Sequence, residues 1–211
     1  MRLIALRHGE TEWNVNGREQ GQLDSPLTVH GMRQVEAAAR RLRHHPFAAL
    51  YTSDLGRAVQ SAEIVARITG VEIRVDPGLR ERHSGIFQGL TRVEMRERFP
   101  AEYAAYTADP YHYPVPGGET GQQRRERSAR VLNALADRHA DETVVVITHG
   151  GFLLGFFEHV LDLAPGNSWR FKRQNAAFNV FARAAGTWTL ETWNDTAHLD
   201  TLGSLDERAA L

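Results

Sequence analysis

Two short apolar segments, far apart in the chain, each run directly into a histidine. Residues 3–6 lead into Arg7 and His8, and residues 143–148 lead into His149. Each segment is too short for a helix and has the apolar, partly β-branched composition of a strand buried on both faces. Strands of this kind form parallel sheets, and open α/β sheets bind ligands beyond the carboxyl ends of their strands. The sequence therefore predicts one sheet edge at which the two imidazoles meet.

Other residues near predicted strand ends point to the same edge. Gly9 and Gly150 follow the two histidines, and because glycine has no side chain we expect a ligand to approach the backbone closely at both. Arg57 falls in the first turn of a predicted helix, where a cation opposes the helix dipole, so we expect an anion bound beside it. Glu81 lies just past the predicted strand over residues 71–75.

Strand and helix patterns alternate along most of the chain. The predicted strands cover residues 3–6, 47–52, 71–75 and 143–148, followed by a terminal hairpin over 178–183 and 187–193. The predicted helices begin after Thr28 and near Gly56, and cover residues 91–109 with a break near Pro100, 119–138 and 151–161. Residues 10–25 are predicted to be a loop.

This alternation predicts an α/β fold with three layers, in which a mainly parallel central sheet carries helices on both faces. At 211 residues the chain suffices for one such domain, 1–211, and is short for two. Residues 82–118 are less regular and are predicted to form a small helical and loop insertion over the site. Residues 195–211 are polar and are expected to be a partly mobile tail.

Composition and charge exclude several functions. The chain has no cysteine, which excludes disulfides, cysteine-ligated metals and a cysteine nucleophile. A formal net charge of -1 gives no reason to expect nucleic acid or an anionic membrane as a partner. The charged first half of the helix over 119–138 is accordingly interpreted as a solvated face. Since no apolar run resembles a secretory signal or a membrane span, we expect a cytoplasmic protein.

The residues collected at the sheet edge suit phosphoryl chemistry. They are Arg7, His8, Arg57, Glu81 and His149. Guanidinium groups pair with phosphate oxygens, an imidazole can attack phosphorus or donate to a phosphate oxygen, and a carboxyl group can protonate a leaving alkoxide. The nucleotide-binding glycine loop, an Asp-x-Asp motif and a His-Glu-x-x-His metal motif are all missing, which leaves a histidine as the nucleophile.

Six ordered sequence blocks strengthen this interpretation. They are Leu6-Arg7-His8-Gly9-Glu10-Thr11-Glu12-Trp13-Asn14, Gly17-Arg18-Glu19-Gln20-Gly21, Asp24-Ser25-Pro26-Leu27-Thr28, Ser53-Asp54-Leu55-Gly56-Arg57-Ala58, Leu79-Arg80-Glu81 and Thr148-His149-Gly150-Gly151. Together they closely resemble the phosphoglycerate mutase-like branch of the histidine phosphatase superfamily. The pattern is most similar to that of the short broad-specificity phosphatases in this branch.

The resemblance implies a role for each residue. His8 would become phosphohistidine while Arg7, Arg57 and His149 hold the transferring phosphoryl group. Glu81 would be the proton donor and then the base.

The resemblance further implies that Asn14, Gln20 and Gly150 line the phosphate or substrate pocket. It also implies that the enzyme works without a metal or another cofactor. The partner would be a small phosphorylated metabolite.

The resemblance leaves two reactions open. The shorter insertion favours metal-independent hydrolysis of small phosphomonoesters over a cofactor-dependent phosphoglycerate or phosphosugar mutase. A non-catalytic phosphate-binding module is a third, less favoured interpretation.

Four tyrosines of the insertion are candidates for a cap over an apolar leaving group, namely Tyr103, Tyr106, Tyr111 and Tyr113. The terminal hairpin offers an edge strand through which two copies could pair as a homodimer.

Overall fold

The computed structural model describes residues 1–164, 170–200 and 202. The strands are β1 (Arg2–Arg7), β2 (Ala49–Thr52), β3 (Ile73–Val75), β4 (Thr143–Thr148), β5 (Phe178–Ala184) and β6 (Thr187–Asp195). They form a sheet in the order β3-β2-β4-β1-β5-β6. The pairings among β3, β2, β4 and β1 are parallel, whereas β5 and β6 join as an antiparallel hairpin. The predicted, mainly parallel sheet is confirmed.

Helices cover both faces of this sheet. They are α1 (Glu12–Val15), α2 (Val29–Leu42), α3 (Gly56–Thr69), α4 (Arg92–Arg98), α5 (Pro100–Ala108), α6 (Gly121–Arg138) and α7 (Gly150–Val160). Successive side chains of β1 point to opposite faces, so Ile4 packs with α2 and α3 while Leu3 packs with α6 and α7. The two apolar clusters make the three layers that the sequence predicts.

The site-bearing strands are neighbours at the centre of the sheet. β1 and β4 pair in parallel, with Arg7 opposite Thr148. The pairing continues one step beyond the strands, where the His8 amide donates to the Thr148 carbonyl at 2.9 Å. His8 and His149 therefore leave the sheet side by side, as the repeated strand ending predicts.

Local signals set several helix boundaries. The Thr28 side chain accepts a hydrogen bond from the Gly31 amide at 2.9 Å and caps α2. Pro100 cannot continue α4, and it begins α5 instead. Residues 10–25 are not entirely a loop, because a capping box between Thr11 and Asn14 begins the short helix α1. β2 and β3 begin two residues later than predicted.

One further expectation needs correction, and a second stays a prediction. The first half of α6 is not simply a solvated face, because Arg124 is buried and pairs there with Glu158 of α7. The polar tail begins in regular structure, since Asp195 ends β6 and bonds to Arg41 of α2 at 2.6 Å. Residue 201 and residues 203–211 of the predicted tail lie outside the described residues, so the mobility of the tail stays a prediction.

A contact between two glycines fixes the turn after β1 against α2. A Cβ atom on Gly9 would lie 2.5 Å from the Gly31 carbonyl oxygen, and a Cβ atom on Gly31 would overlap the Glu10 carbonyl oxygen. The Glu10 carbonyl also accepts the Thr28 amide hydrogen bond at 2.9 Å. The space at Gly9 is thus occupied by α2, and the expectation that a ligand uses it is wrong.

We predict that Gly31→Ala destabilises the protein although alanine is the better helix former. The added methyl group must displace the backbone at Glu10, and such overpacking costs about 1–3 kcal/mol of unfolding free energy. Urea denaturation measures the change, with Met32→Ala, an exposed position of the same helix, as the control. A Gly31→Ala variant that is as stable as the wild type or more stable would contradict the contact.

Candidate active site

His8 is buried, with 2% of its surface exposed, and both ring nitrogens have defined partners. Its Nδ1 lies 2.7 Å from the Gly9 carbonyl oxygen, and because a carbonyl only accepts, Nδ1 carries the proton. Nε2 accepts from the Arg57 Nε–H at 3.3 Å and therefore presents a lone pair. Burial, followed by the charges of Arg7 and Arg57, holds the pKa of His8 well below 6.5. His8 is thus a neutral imidazole in the form that a nucleophile requires.

Arg57 is fully buried beside His8 and is held by main-chain acceptors. Its Nη1 donates to the Leu23 carbonyl at 2.8 Å and its Nη2 to the Gly21 carbonyl at 2.7 Å. Asp24 adds a carboxylate 3.2 Å from Nη1, and it also accepts from the backbone amides of Gly56 and Arg57. The anion expected at this helix start is therefore a side chain of the protein itself.

His149 is completely buried and its ring centroid lies 5.2 Å from that of His8. Its Nε2 is 2.6 Å from the Ser53 hydroxyl oxygen, which also accepts from the Leu55 amide at 3.4 Å. Among the described residues the Ser53 hydroxyl has no other acceptor, so it donates to Nε2 and leaves the proton on Nδ1. That Nδ1 has no hydrogen-bond partner. Burial, followed by the charge of Arg57, holds the pKa of His149 well below 6.5.

Arg7 supplies a second unpaired donor at the strand end. Its Nη1 donates to the Arg173 carbonyl at 2.5 Å, whereas its Nε is buried without a partner. Gly150 lies against it, because a Cβ atom there would be 3.4 Å from Nε. Desolvation lowers the pKa of Arg7 to about 10, so the group stays charged at neutral pH. A ligand with acceptor oxygens would satisfy both Arg7 Nε and His149 Nδ1.

Glu81 sits at the N-terminus of α7. Its carboxylate accepts from the amides of Gly151 at 2.8 Å, Phe152 at 3.0 Å and Arg82 at 2.7 Å. A Cβ atom on Gly151 would overlap this carboxylate, so glycine is needed there for the contact.

Sequence comparison matches residues 3–196 to the family described as "Histidine phosphatase superfamily (branch 1)". The chain belongs to the histidine phosphatase superfamily. The match covers nearly the whole chain and includes all five residues that the sequence analysis placed at the sheet edge.

The similar proteins include relatives named as phosphatases and relatives named as mutases. The chain is 36% identical over 206 residues to an Arabidopsis thaliana protein named metal-independent phosphoserine phosphatase, covering 96% of this chain and 85% of the relative. It is 34% identical over 215 residues to the probable phosphoglycerate mutase GpmB of Cronobacter sakazakii, covering 98% of each. The solved structure of Bacillus stearothermophilus YhfR superimposes with a TM-score of 0.89 at 32% identity, covering 94% of this chain and 99% of that one. Members of this superfamily are enzymes, and both a phosphatase and a mutase fit the comparisons.

Of the predicted pocket residues, Asn14 is linked to this histidine phosphatase site through Asn175, and Gly150 lies against Arg7. The Asn14 Oδ1 accepts from the Asn175 side chain at 3.2 Å, which leaves the Asn14 amide hydrogens free of partners in the described chain. Gln20 is buried and its Oε1 has no partner. Their contact with phosphate stays a prediction.

Sequence reasoning missed the segment that precedes β5. The Asn175 side chain donates to the His8 carbonyl at 3.0 Å, and the Ala176 amide donates to the Arg7 carbonyl at 2.9 Å. The Arg173 carbonyl holds Arg7, as described above. No motif marks these residues, and only the antiparallel return of β5 beside β1 brings them to the site.

The insertion has its own small apolar core and lines a cavity of about 840 Å³. Tyr103 and Tyr106 line this cavity, together with Phe87, Met95 and Val115. Tyr111 and Tyr113 do not line it; Tyr113 packs against the insertion core instead. The lining of this cavity includes none of the five residues predicted at the sheet edge, so the role of the tyrosines as a cap stays a prediction.

Within residues 1–164, 170–200 and 202, no group of three or more histidine or acidic side chains could hold a metal ion. None of the helices described there combines the length and the apolar character needed to cross a membrane.

We predict that the two histidines make the protein less stable as the pH falls. Below pH 6.5 the unfolded chain protonates both histidines, whereas the folded protein keeps both neutral. The free energy of unfolding therefore decreases as the pH decreases. Their joint contribution approaches about 2.7 kcal/mol per pH unit.

Urea denaturation between about pH 7 and pH 5 measures this slope. The variant His8→Asn/His149→Asn should show a shallower dependence, and His44→Asn, which is exposed, should show that of the wild type. Equal slopes for the wild type and the double variant would mean that the histidines are not held neutral.

Proposed function

We propose that this protein hydrolyses small phosphomonoesters through a phosphohistidine formed on His8. The observation that carries the proposal is the fixed tautomer of His8: its Nδ1 proton is held by the Gly9 carbonyl, and its Nε2 lone pair faces Arg57. A buried, neutral imidazole with a directed lone pair is a competent nucleophile toward phosphorus.

In the first step, the Nε2 lone pair attacks phosphorus and the bond from phosphorus to the ester oxygen breaks. The Arg57 Nε–H, which donates to Nε2 before the reaction, turns to a phosphoryl oxygen. Arg7 Nε and His149 Nδ1, both buried without partners, gain acceptors in the other oxygens. The site thus stabilises charge that develops in the transition state.

Glu81 handles the protons in both steps. In its protonated form it gives a proton to the departing ester oxygen and becomes a carboxylate. That carboxylate then takes a proton from a water molecule, whose oxygen attacks the phosphohistidine. The nitrogen–phosphorus bond breaks, inorganic phosphate leaves, and His8 returns to its neutral state.

The second candidate is a mutase, in which a second phosphorylated substrate takes the phosphoryl group from His8. The similarity to GpmB, over 98% of both chains, favours it. The short insertion over residues 82–118 favours hydrolysis, because a smaller cover gives water readier access to phosphohistidine. On either reaction the proposed partner is a small phosphorylated metabolite, and neither metal, nucleic acid nor membrane is proposed to take part.

We predict that the wild type releases inorganic phosphate from phosphomonoesters in the presence of a metal chelator. His8→Ala removes the nucleophile and should lower the rate by roughly 10³-fold or more. His44→Ala, which changes an exposed histidine, is the matched control, and thermal unfolding verifies the fold of both variants. Full activity of His8→Ala would contradict the mechanism. Bisphosphate-dependent interconversion of 3- and 2-phosphoglycerate that exceeds phosphate release would establish the mutase instead.

We predict that Glu81→Gln slows the reaction most for substrates with poor leaving groups. An alkyl phosphate needs a proton on its leaving oxygen and should lose about 10²- to 10⁴-fold in rate, whereas p-nitrophenyl phosphate should lose much less in its first step. Single-turnover kinetics separate that step, and Glu97→Gln, an exposed position of the insertion, is the control. Equal slowing of both substrates would argue against Glu81 as the acid.

A further inference from the structure

The segment 172–176, which precedes β5, holds the end of β1 from one side. The Arg173 carbonyl accepts from the Arg7 Nη1 at 2.5 Å, and the Asn175 side chain donates to the His8 carbonyl at 3.0 Å. The Arg7 Nε, next to that anchored nitrogen, is buried without a partner. The position of this segment therefore sets the direction in which the unpaired Arg7 donor points.

The segment is not fixed by regular structure of its own. Residues 172–176 lie in neither a helix nor a strand. Ala176 has a φ of 55°, in the left-handed region that residues with a Cβ atom rarely adopt. Such a conformation persists only where surrounding contacts hold it. Contacts from elsewhere in the chain must therefore keep the segment against β1.

Asn194, near the end of β6, supplies the central contact. Its Oδ1 accepts from the Gln174 backbone amide at 2.6 Å, and its Nδ2 donates to the Gln174 Oε1 at 2.8 Å. The Asn194 backbone amide donates to the Asn179 Oδ1 at 2.9 Å, and the Asn179 side chain donates to the Ala5 carbonyl of β1 at 3.1 Å. Asn194 thus ties the middle of the segment to β1 through β5.

Two neighbours of Asn194 hold the ends of the same segment. The Trp193 indole N–H donates to the Lys172 carbonyl at 3.0 Å. The His198 Nε2 lies 3.1 Å from the Ala176 carbonyl oxygen, and because a carbonyl only accepts, this nitrogen carries the proton. Asn194 differs from both, because it contacts the residue that lies between the two that hold Arg7 and the strand end.

We propose that Asn194 is a positioning residue for phosphoryl binding. It fixes the segment that anchors Arg7 and so keeps the Arg7 Nε directed at the site, without touching the substrate itself. This inference rests on the proposed function, in which Arg7 binds a phosphoryl oxygen. Because donors that are already oriented bind an oxyanion without a further cost of ordering, loss of the Asn194 side chain weakens anion binding itself.

The test measures the Kd for inorganic phosphate by calorimetry, together with kcat and KM for p-nitrophenyl phosphate. Asn194→Gly tolerates the φ of 54° at this position and keeps the backbone bond to Asn179, so only the side-chain contacts are lost. We expect Kd and KM to rise by about 5- to 20-fold. A variant that only loosened the fold would lower the binding stoichiometry and kcat and leave Kd unchanged.

Asn133→Ala is the matched control. The Asn133 Oδ1 accepts from the Trp188 indole N–H at 2.8 Å, so this asparagine also binds β6, but at the other end of the hairpin. It should keep the Kd and KM of the wild type. Asn194→Asp retains an oxygen acceptor for the Gln174 amide and should restore Kd to within about threefold of the wild-type value.

Trp193→Phe is a second, milder variant. It removes the hydrogen bond to the Lys172 carbonyl and keeps an aromatic ring against Phe157, whose ring centroid lies 4.1 Å from that of Trp193. It should weaken phosphate binding by about two- to fivefold. If Asn194→Gly does not fold, as thermal unfolding would show, an unchanged Kd in Trp193→Phe would overturn the proposal.

Three results would overturn the positioning role: no phosphate binding by the wild type, unchanged Kd and KM in folded Asn194→Gly, or an equal loss in Asn133→Ala. These results are distinct from failure of the proposed function. Weaker phosphate binding by Asn194→Gly, in a protein that hydrolyses no ester, would retain the positioning role and reject hydrolysis. Hydrolysis that depends on His8, with unchanged Kd and KM in Asn194→Gly, would retain hydrolysis and reject the positioning role.

Discussion

The parallel pairing of β1 with β4 is the contact on which the rest of the site depends. It sets Arg7 opposite Thr148 and continues through the His8 amide to the Thr148 carbonyl. The two imidazoles then emerge 5.2 Å apart between centroids. A register shift of one residue would move the side chains at the strand ends to opposite faces. The apolar clusters on both faces prevent such a shift, so the core fixes the geometry of the site.

The site concentrates positive charge where water is excluded. Two carbonyl groups and the Asp24 carboxylate hold Arg57, and the Arg173 carbonyl holds Arg7, so the protein orients both cations. The same charges and the burial keep His8 and His149 neutral. Two donors, Arg7 Nε and His149 Nδ1, are buried without partners, which costs free energy in the free protein. A bound oxyanion would accept their hydrogen bonds and remove that cost.

Close backbone contacts also fix the segments that follow the strand ends. Gly9 and Gly31 let the turn after β1 lie directly on α2, and Gly151 lets the Glu81 carboxylate reach the N-terminus of α7. The Thr148 hydroxyl donates to the Leu79 carbonyl at 2.7 Å and ties the Glu81 turn to β4. Each contact includes a backbone group, so the functional groups are already positioned in the free protein.

Sequence alone determined the elements and the residue types at their ends. The buried strands before His8 and His149, the cap at Thr28 and the break at Pro100 follow from local patterns of burial, capping and proline geometry. Only the tertiary structure decided which partners those residues meet. Asp24 balances Arg57, Ser53 sets the tautomer of His149, and Arg173 and Asn175 reach β1 from the far end of the chain. Local periodicity records whether a side chain is buried, but a hydrogen-bond partner many residues away is chosen by strand order and register, which no local pattern contains.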